Sequence, residues 1–417
     1  MSNKNKFVYY FSAAITAALF LHLFAFALAK GNGTQLSIFS MQLHDFGADF
    51  FNQLRYIAER DPYFNEINGA ANHSWPPLPW LLLFPLSQLQ PYASMSLQDC
   101  WSSPVSEISL LLFMTMISLI FAHALKCLCK KWNVPEIIML AFFSSYIYIN
   151  TVERGNIIVL SAACVTYFIT YYDSDDKKLR FFACFSLAFA ATMKIYPIFF
   201  SFLLFEKKQY KEIAWGAMWC VLLGLLPFLF FKHGLGNIPR LLLLNTRVFP
   251  KAYPIVNGGF TCANIVHMIL SNIHVPHARA FATIFGNGIR FIAFLGLLLS
   301  LFEKNFFRRY SLILFAVMMF PGWSGGYTAL YLFPMILYCI SLISKTDNNK
   351  CRYSILIYTA LYLLLEPFQI RIGAHHLNFY FLCIIPLSFF LCVFAYSVIN
   401  FFKTRTCNHA NYVSHSE

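Results

Sequence analysis

The stretch FFACFSLAFAATMKIYPIFFSFLLF, residues 181–205, decides how this chain folds. It is long and apolar enough for one membrane crossing, yet basic clusters flank it on both sides, at 177–180 and 207–211. Because basic loops stay on the cytoplasmic side of a membrane, both ends of this run belong on the same side. Proline disfavours a helical residue before it and removes a backbone donor. We therefore predict two short helices that turn at Met193-Lys194-Ile195-Tyr196-Pro197.

Lys194 lies at the apex of that turn, inside or near the outer half of the bilayer. A lysine at mid-bilayer costs about 2.5–3.5 kcal/mol on insertion scales unless it is paired or solvated. We therefore expect an anionic group beside it, and a lipid phosphate is the functional candidate. The alternative is a lysine whose stem reaches to the headgroups.

The rest of the chain is equally apolar. Of its 417 residues 59% are hydrophobic, 18% aromatic and only 12% charged, which excludes an ordinary soluble domain. The composition predicts an all-α polytopic membrane protein, a single integral membrane domain over 1–417 with about 9–12 transmembrane helices, both termini cytoplasmic and a cytoplasmic tail at 403–417. The predicted apolar spans are 7–29, 108–126, 134–150, 156–172, 181–193, 195–205, 213–231, 281–302, 311–320, 327–344, 353–366 and 379–402.

The net charge of +13 does not indicate a nucleic-acid partner. The basic residues occupy short loops between apolar spans, where they report orientation in the membrane. Two long loops are then expected on the periplasmic side, at 30–107 and 232–280. Asp45, Asp49 and Asp61 could bind a hard cation through oxygen ligands, but they are too few to predict a metal site, and no cofactor is expected.

The first periplasmic loop gathers carboxylates beside an amphipathic segment. Asp45 and Asp49 stand four residues apart and share a helix face, where one could act as a general base. Asp45 could equally cap the helix, and Asp49 could be a solvated surface acid. Pro62 is expected to end this helix, which rests on the membrane interface through an apolar face formed by Phe46, Phe50, Leu54, Ile57 and Ala58.

Other polar groups occur in predicted outer turns. Arg154, in the turn Glu153-Arg154-Gly155-Asn156, could grip a phosphate, although an ion pair between Glu153 and Arg154 is an equal alternative. Arg247 and Lys251 lie in a second-loop segment suited to sugar hydroxyls, a pyrophosphate or lipid headgroups. Trp323 and Tyr327 bracket a late turn that could contact substrate or belong to an aromatic belt.

The order of these pieces resembles the GT-C fold glycosyltransferases that use lipid-linked sugars. The likeness is greatest to the family 87 type branch related to polyprenyl-phosphate-mannose transferases. It spans about residues 40–215 and is carried by Asp45-Phe46, Asp61-Pro62-Tyr63, Trp75-Pro76-Pro77, Arg154-Gly155-Asn156-Ile157 and Lys194-Ile195-Tyr196-Pro197.

This resemblance implies a sugar donor on polyprenyl phosphate, an outer-face acceptor and a catalytic aspartate, which falls on Asp45, with Asp49 as the second catalytic candidate. Lys194 and Arg154, with Asn156, would hold the donor phosphate. The chain departs from the family in its late turn, where Trp323-Ser324-Gly325-Gly326-Tyr327 stands in place of a histidine-bearing turn. The predicted substrate-binding residues are Asp61, Tyr63, Trp75, Arg247, Lys251, Trp323 and Tyr327.

The chain is also similar to the serotype-converting O-antigen glucosyltransferases of temperate phages. That similarity implies transfer of glucose from undecaprenyl phosphate to a lipid-linked O-antigen, a glycan of lipopolysaccharide, at the periplasmic face of the bacterial inner membrane. Its partners would be the sugar donor, the lipid-linked glycan acceptor and membrane lipid, with no nucleic acid. Two alternatives stay open, a lipid-linked sugar flippase or transporter and an O-antigen polymerase.

Overall fold

The computed structural model describes residues 3–28, 46–254, 261–321, 326–343, 365, 371–372 and 375–413. The described chain is almost entirely helical. Its α-helices are α1 (Asn3–Leu28), α2 (Ala48–Ile57), α3 (Pro77–Ser87), α4 (Leu97–Trp101), α5 (Pro104–Trp132), α6 (Ile138–Phe143), α7 (Tyr146–Glu153), α8 (Ile158–Tyr171), α9 (Lys177–Met193), α10 (Phe202–Glu206), α11 (Tyr210–Leu225), α12 (Asn237–Leu243), α13 (Phe249–Ala252), α14 (Cys262–Asn272), α15 (Ala278–Ser300), α16 (Phe306–Met319), α17 (Phe333–Ile343) and α18 (Leu377–Val413).

Short elements connect these helices. A two-residue antiparallel pair, β1 (Arg371–Ile372) and β2 (His375–His376), precedes α18. Short 3₁₀-helical segments lie at Ala70–His73, Tyr196–Ser201, Leu226–Phe230, Gly234–Gly236 and Gly326–Leu332, and one π-helical turn lies at Leu244–Val248.

Five helical segments of the described chain are long and apolar enough to cross a membrane: Lys4–Phe24, Pro104–Trp132, Tyr210–Phe230, Ala278–Ser300 and Ile384–Phe402. Much of their surface is exposed and apolar, as lipid-facing helices require. The prediction of an all-α polytopic membrane protein is therefore confirmed.

Two shorter helices, α8 and α16, form the interior of the bundle. Nearly every side chain of each is buried, including Val165 and Phe168 on α8 and Leu314 and Phe315 on α16. Both are 14 residues long, too short to cross a membrane unaided. Helices α5 and α9 pack against α8, and α15 packs against α16.

The break predicted around Lys194 is present. Helix α9 ends at Met193, Lys194 itself is extended (φ −144°, ψ 120°), and the chain continues as the 3₁₀ turn Tyr196–Ser201 and then α10. Pro197 lies in the first turn of that 3₁₀ segment, where its missing N–H costs nothing.

A single span over 134–150 was a wrong prediction. The chain there forms α6 and α7, separated at Ser144 and Ser145. The hydroxyl of Ser145 accepts a hydrogen bond from the N–H of Tyr148 and so caps a new helix. Apolar composition did not reveal this interruption, because both serines are buried among apolar neighbours.

The amphipathic helix predicted in the first loop is α2, but its details differ. Its apolar face packs on protein, since Phe50 is fully buried and its ring lies 5.2 Å from that of Phe113 on α5. The helix ends at Ile57, and Pro62 lies farther on. A separate helix, α3, starts within the proline-rich segment at Pro77, in the first turn where proline is tolerated.

Candidate active site

A cavity of about 680 Å³ lies where α2, the α7–α8 turn and the Lys194 turn meet. Its lining includes six residues that the sequence singled out: Asp49, Trp75, Arg154, Asn156, Lys194 and Tyr327. These positions are separated by up to 278 residues of sequence, so the fold assembles them. The cavity is large enough for a sugar and a phosphate.

Backbone hydrogen bonds fix the start of α2 against the turn after α7. The N–H of Gly47 donates to the carbonyl of Glu153 (2.8 Å), and the N–H of Asp49 donates to the carbonyl of Arg154 (2.9 Å). Both donors belong to a helix N-terminus, which has no partners within its own helix. The contact therefore satisfies them and places the Asp49 side chain beside Arg154.

This close approach depends on Gly155, whose φ is +68°. A Cβ atom at this position would lie 2.6 Å from the Cβ of Phe50 and 2.9 Å from Cδ1 of Leu110. Glycine is needed here both for its left-handed backbone and for the space that α2 and α5 occupy.

Asp49 is held by three charge-assisted hydrogen bonds. Arg154 donates from Nε to Oδ2 and from one Nη to Oδ1, both at 2.8 Å, and the amide of Asn156 donates to Oδ2 at 2.8 Å. The two charged side chains are only 18% and 21% exposed. This bidentate geometry is the strong form of an arginine–carboxylate pair.

The charge on Asp49 is stabilised by this arrangement. Burial alone would raise the pKa of the carboxyl group. The charge of Arg154 and the hydrogen bonds from Arg154 and Asn156 outweigh burial, so the pKa of Asp49 lies below its ordinary value of 3.8. A carboxylate with both oxygens engaged and a lowered pKa is a weak proton acceptor.

Lys194 is placed differently. Its Nζ lies 4.0 Å from the centroid of the Trp75 ring, a cation–π contact. Within the described residues, no carboxylate lies within salt-bridge distance of this ammonium and no hydrogen bond to it is formed. The ring holds the charge without neutralising it.

The described lining contains three charged residues, Asp49, Arg154 and Lys194. Asp49 and Arg154 neutralise one another, so one positive charge remains, on Lys194. The rest of the polar lining is made of amides and hydroxyls. A cavity with this balance suits a ligand that carries one negative charge and several hydroxyl groups.

Some predicted site residues lie elsewhere. Tyr63 is fully buried in an aromatic cluster with Trp80 and Phe228 and donates from its hydroxyl to the carbonyl of Trp75 (3.0 Å). Asp61 lies outside the cavity lining, 3.6 Å from Nε2 of His233. Arg247 and Lys251 are exposed and also lie outside the lining. Substrate contacts by these residues stay predictions.

Two predicted residues, Asp45 and Trp323, lie outside the described residues. The predicted base role of Asp45 and the substrate role of Trp323 therefore stay predictions. The chain enters the described region at Phe46, directly before the Gly47–Glu153 contact.

Several amide side chains of the lining were not among the predicted site residues: Asn52, Gln53, Asn68, Asn72, Asn150 and Asn245. The only sequence signal for Asn52 and Gln53 is their spacing from Asp49 on one helix. Asn245 belonged to a segment whose amide, cations and aromatics suggested sugar binding, but it was not selected.

The second loop closes over the first through hydrogen bonds. The amide of Asn245 donates to the carbonyl of Ser74 (3.0 Å), and the hydroxyl of Tyr253 donates to Oδ1 of Asn72 (2.8 Å). Farther out, Nε of Arg240 donates to the carbonyl of Tyr63 (3.2 Å). The cavity therefore has a roof built from two distant parts of the chain.

Comparison with known proteins gives one match. The model of glycosyltransferase family 87 matches residues 74–250, less than half of the chain. No curated protein and no solved structure matches. The matched segment includes Trp75, Arg154, Asn156 and Lys194 and excludes α2. With the apolar helices, this match supports a membrane glycosyltransferase of the GT-C-like kind.

Proposed function

We propose that the protein transfers a hexose, glucose in the most specific form of the proposal, from undecaprenyl phosphate to a lipid-linked O-antigen or related glycan. The reaction takes place at the periplasmic face of the bacterial inner membrane. The observation that carries the proposal is the charge balance of the cavity, because the described lining has one net positive charge and Lys194 is the cation outside the Asp49–Arg154 pair. A sugar phosphodiester carries one negative charge and several hydroxyls, and so complements this lining.

Lys194 binds the phosphate in this proposal. As the glycosidic bond to phosphate breaks, negative charge grows on the leaving polyprenyl phosphate. A fixed cation beside those oxygens stabilises the transition state more than the ground state. Trp75 keeps the ammonium in place when the donor is absent, since the Nζ lies over its ring.

Asp45 is the proposed base. The acceptor hydroxyl loses its proton to this carboxylate while its oxygen forms a bond to the anomeric carbon, and the polyprenyl phosphate departs with the bonding electron pair. Asp49 positions Arg154 in this scheme, because its two oxygens are already occupied by Arg154 and Asn156. Arg154 donates two N–H groups to Asp49, and in this scheme its positive charge adds to that of Lys194 near the donor phosphate.

The test is Lys194→Ala in purified protein, assayed for sugar transfer from undecaprenyl-phosphate glucose to a lipid-linked O-antigen acceptor. We expect kcat/KM for the donor to fall by about 10²- to 10³-fold, the usual effect of removing one group that stabilises transition-state charge. The matched control is Lys207→Ala, an exposed lysine remote from the cavity, which should leave kcat/KM unchanged.

Two results would contradict the proposal. Undiminished transfer by Lys194→Ala would remove the phosphate role of this lysine. Translocation of undecaprenyl-phosphate glucose across proteoliposomes without sugar transfer would identify a flippase instead.

A further inference from the structure

Gln53 lies on α2 one helical turn after Asp49 and lines the same cavity. Residues four apart on a helix share a face, so Asp49 and Gln53 both project toward the cavity. The side chain is 95% buried, since only 5% of the residue is exposed. It is therefore part of the wall that a ligand would touch.

The carboxamide of Gln53 has no hydrogen-bond partner among the described residues. Its Oε1 is buried without a partner among the described residues. Buried amides in folded proteins are almost always paired, because an unpaired one loses its hydration without compensation. An amide in a cavity wall that lacks a hydrogen-bond partner is therefore a candidate for binding a ligand.

Neighbouring amides contrast with Gln53. Oδ1 of Asn52 accepts from both Arg55 and Asn68, and the amide of Asn156 donates to Asp49 and accepts from the N–H of Ile158. These side chains hold the walls together. Gln53 makes no such structural contact in the described chain.

We propose that Gln53 is a specificity-determining residue that binds a sugar hydroxyl in the cavity. A carboxamide offers one acceptor and two donors, and a hydroxyl is both a donor and an acceptor, so the two groups are complementary in either orientation of the amide. The inference rests on the proposed function, which supplies the sugar. Lys194 binds the phosphate in the proposed function, so Gln53 contacts the sugar.

The experiment measures the affinity of the purified full chain for two lipids, undecaprenyl-phosphate glucose and undecaprenyl phosphate without sugar. The variant is Gln53→Met, which keeps the length of the side chain and removes its hydrogen bonds. We expect affinity for the sugar-bearing lipid to fall about tenfold, the value of one hydrogen bond of ordinary strength, and affinity for the bare lipid to stay unchanged.

The matched control is Gln209→Met. Gln209, like Gln53, has a buried Oε1 without a partner among the described residues, but it lies between α10 and α11, outside the cavity lining. It should change neither affinity. If Gln53→Met does not fold, Gln53→Leu replaces it, because leucine is of similar size, is uncharged and has no hydrogen-bonding group.

The outcomes separate the two proposals. Equal affinity of the unaltered protein for both lipids, with no sugar transfer, would reject the proposed function itself. If the unaltered protein transfers sugar but Gln53→Met lowers the affinity for both lipids equally, Gln53 is rejected as a sugar contact while the proposed function stands. If donor affinity holds but KM for the glycan acceptor rises about tenfold, the hydroxyl that Gln53 binds belongs to the acceptor. No change in either donor affinity or acceptor KM would overturn the inference.

Discussion

Asp49 and Arg154 lie 105 residues apart in the sequence, and each offsets the burial of the other's charge. Asp49→Asn keeps the shape of the side chain and removes its charge, so the guanidinium of Arg154 loses its counter-ion in a mostly buried place. We expect the free energy of unfolding in detergent to fall by about 1.5–3 kcal/mol, the range for hydrogen bonds to charged groups.

Glu59→Gln is the matched control. Glu59 pairs with Lys232 at 3.5 Å, but the two side chains are 67% and 52% exposed, so water screens the pair. The free energy of unfolding should change by less than about 0.5 kcal/mol. An equally small change for Asp49→Asn would show that the buried pair contributes no stability.

The pH dependence of the same variant follows from the lowered pKa of Asp49. A carboxyl group whose pKa is lowered on folding stabilises the folded state above its ordinary pKa, here 3.8, and this contribution is lost as the pH falls through the lowered value. The stability difference between the unaltered protein and Asp49→Asn should therefore be fully present at pH 5 and shrink below about pH 4. Denaturation curves measured across this range check the sign. A difference that shrinks between pH 8 and pH 5 would contradict it.

At the level of single residues, sequence could identify candidates but not their partners. The sequence left two alternatives for Arg154, a phosphate and an ion pair with Glu153, and gave no indication of Asp49 as its partner. The structure pairs Arg154 with Asp49, and that contact exists only because α2 docks on the α7–α8 turn. The only sequence signal for Gln53 is its spacing from Asp49, since a buried amide without a partner among the described residues is recognised only from its surroundings.

The docking of α2 on the α7–α8 turn depends on Gly155. Gly155→Ala would place a methyl group 2.6 Å from the Cβ of Phe50 and force an unfavourable left-handed backbone. We expect a loss of stability of about 2–5 kcal/mol, from backbone strain of about 1–2 and overpacking of about 1–3 kcal/mol. Sugar transfer should fall as well, because displacing α2 moves Asp49 away from Arg154.

Gly69→Ala separates the two causes. Gly69 also has a positive φ, +84°, but none of the described residues lies within 4 Å of the position that a Cβ would take. This variant should lose only the strain component, about 1–3 kcal/mol for a backbone conformation that glycine alone adopts readily, and keep sugar transfer. Thermal unfolding of both variants in the same detergent gives the comparison. Equal losses would mean that the close approach of Phe50 contributes nothing.

At the level of helices, the sequence predicted what charge and proline determine. The break at Lys194 was predictable because flanking basic clusters and Pro197 both required it. The break at Ser144-Ser145 was not predictable, because serine is tolerated within apolar helices. Only the hydrogen bond from the N–H of Tyr148 to the hydroxyl of Ser145 shows that a new helix begins there. Phe50, Leu54 and Ile57 were predicted correctly for the apolar face of α2, whereas Phe46 lies before the helix and is exposed. The helix packs on α3 and α5, and amphipathic spacing does not distinguish protein from lipid.

For the molecule as a whole, the positive-inside rule predicts that the cavity opens to the periplasm. Asn245 is exposed and lines the cavity, whereas Lys207 lies in a basic cluster expected on the cytoplasmic side. In spheroplasts, a membrane-impermeant maleimide should label Asn245→Cys, and should label Lys207→Cys only after the membrane is broken. Labelling is compared with the unaltered protein, since its own cysteines set the background.

The reverse labelling pattern would place the cavity on the cytoplasmic side and reject the proposed orientation.

Whole-molecule architecture was otherwise accessible from composition, because lipid imposes helices on an apolar chain. The cavity was not, because its walls come from α2, the α7–α8 turn, the Lys194 turn and the second loop, and no local pattern connects these segments.

The roof over the cavity also has a consequence for biosynthesis. Its hydrogen bonds join Ser74 to Asn245 and Asn72 to Tyr253, across 171 and 181 positions of chain. A ribosome must therefore complete well over half of this polypeptide before the pocket can be enclosed. A nascent or truncated chain that ends before the second loop lacks this roof. The charged groups of the cavity therefore become covered only late in membrane insertion.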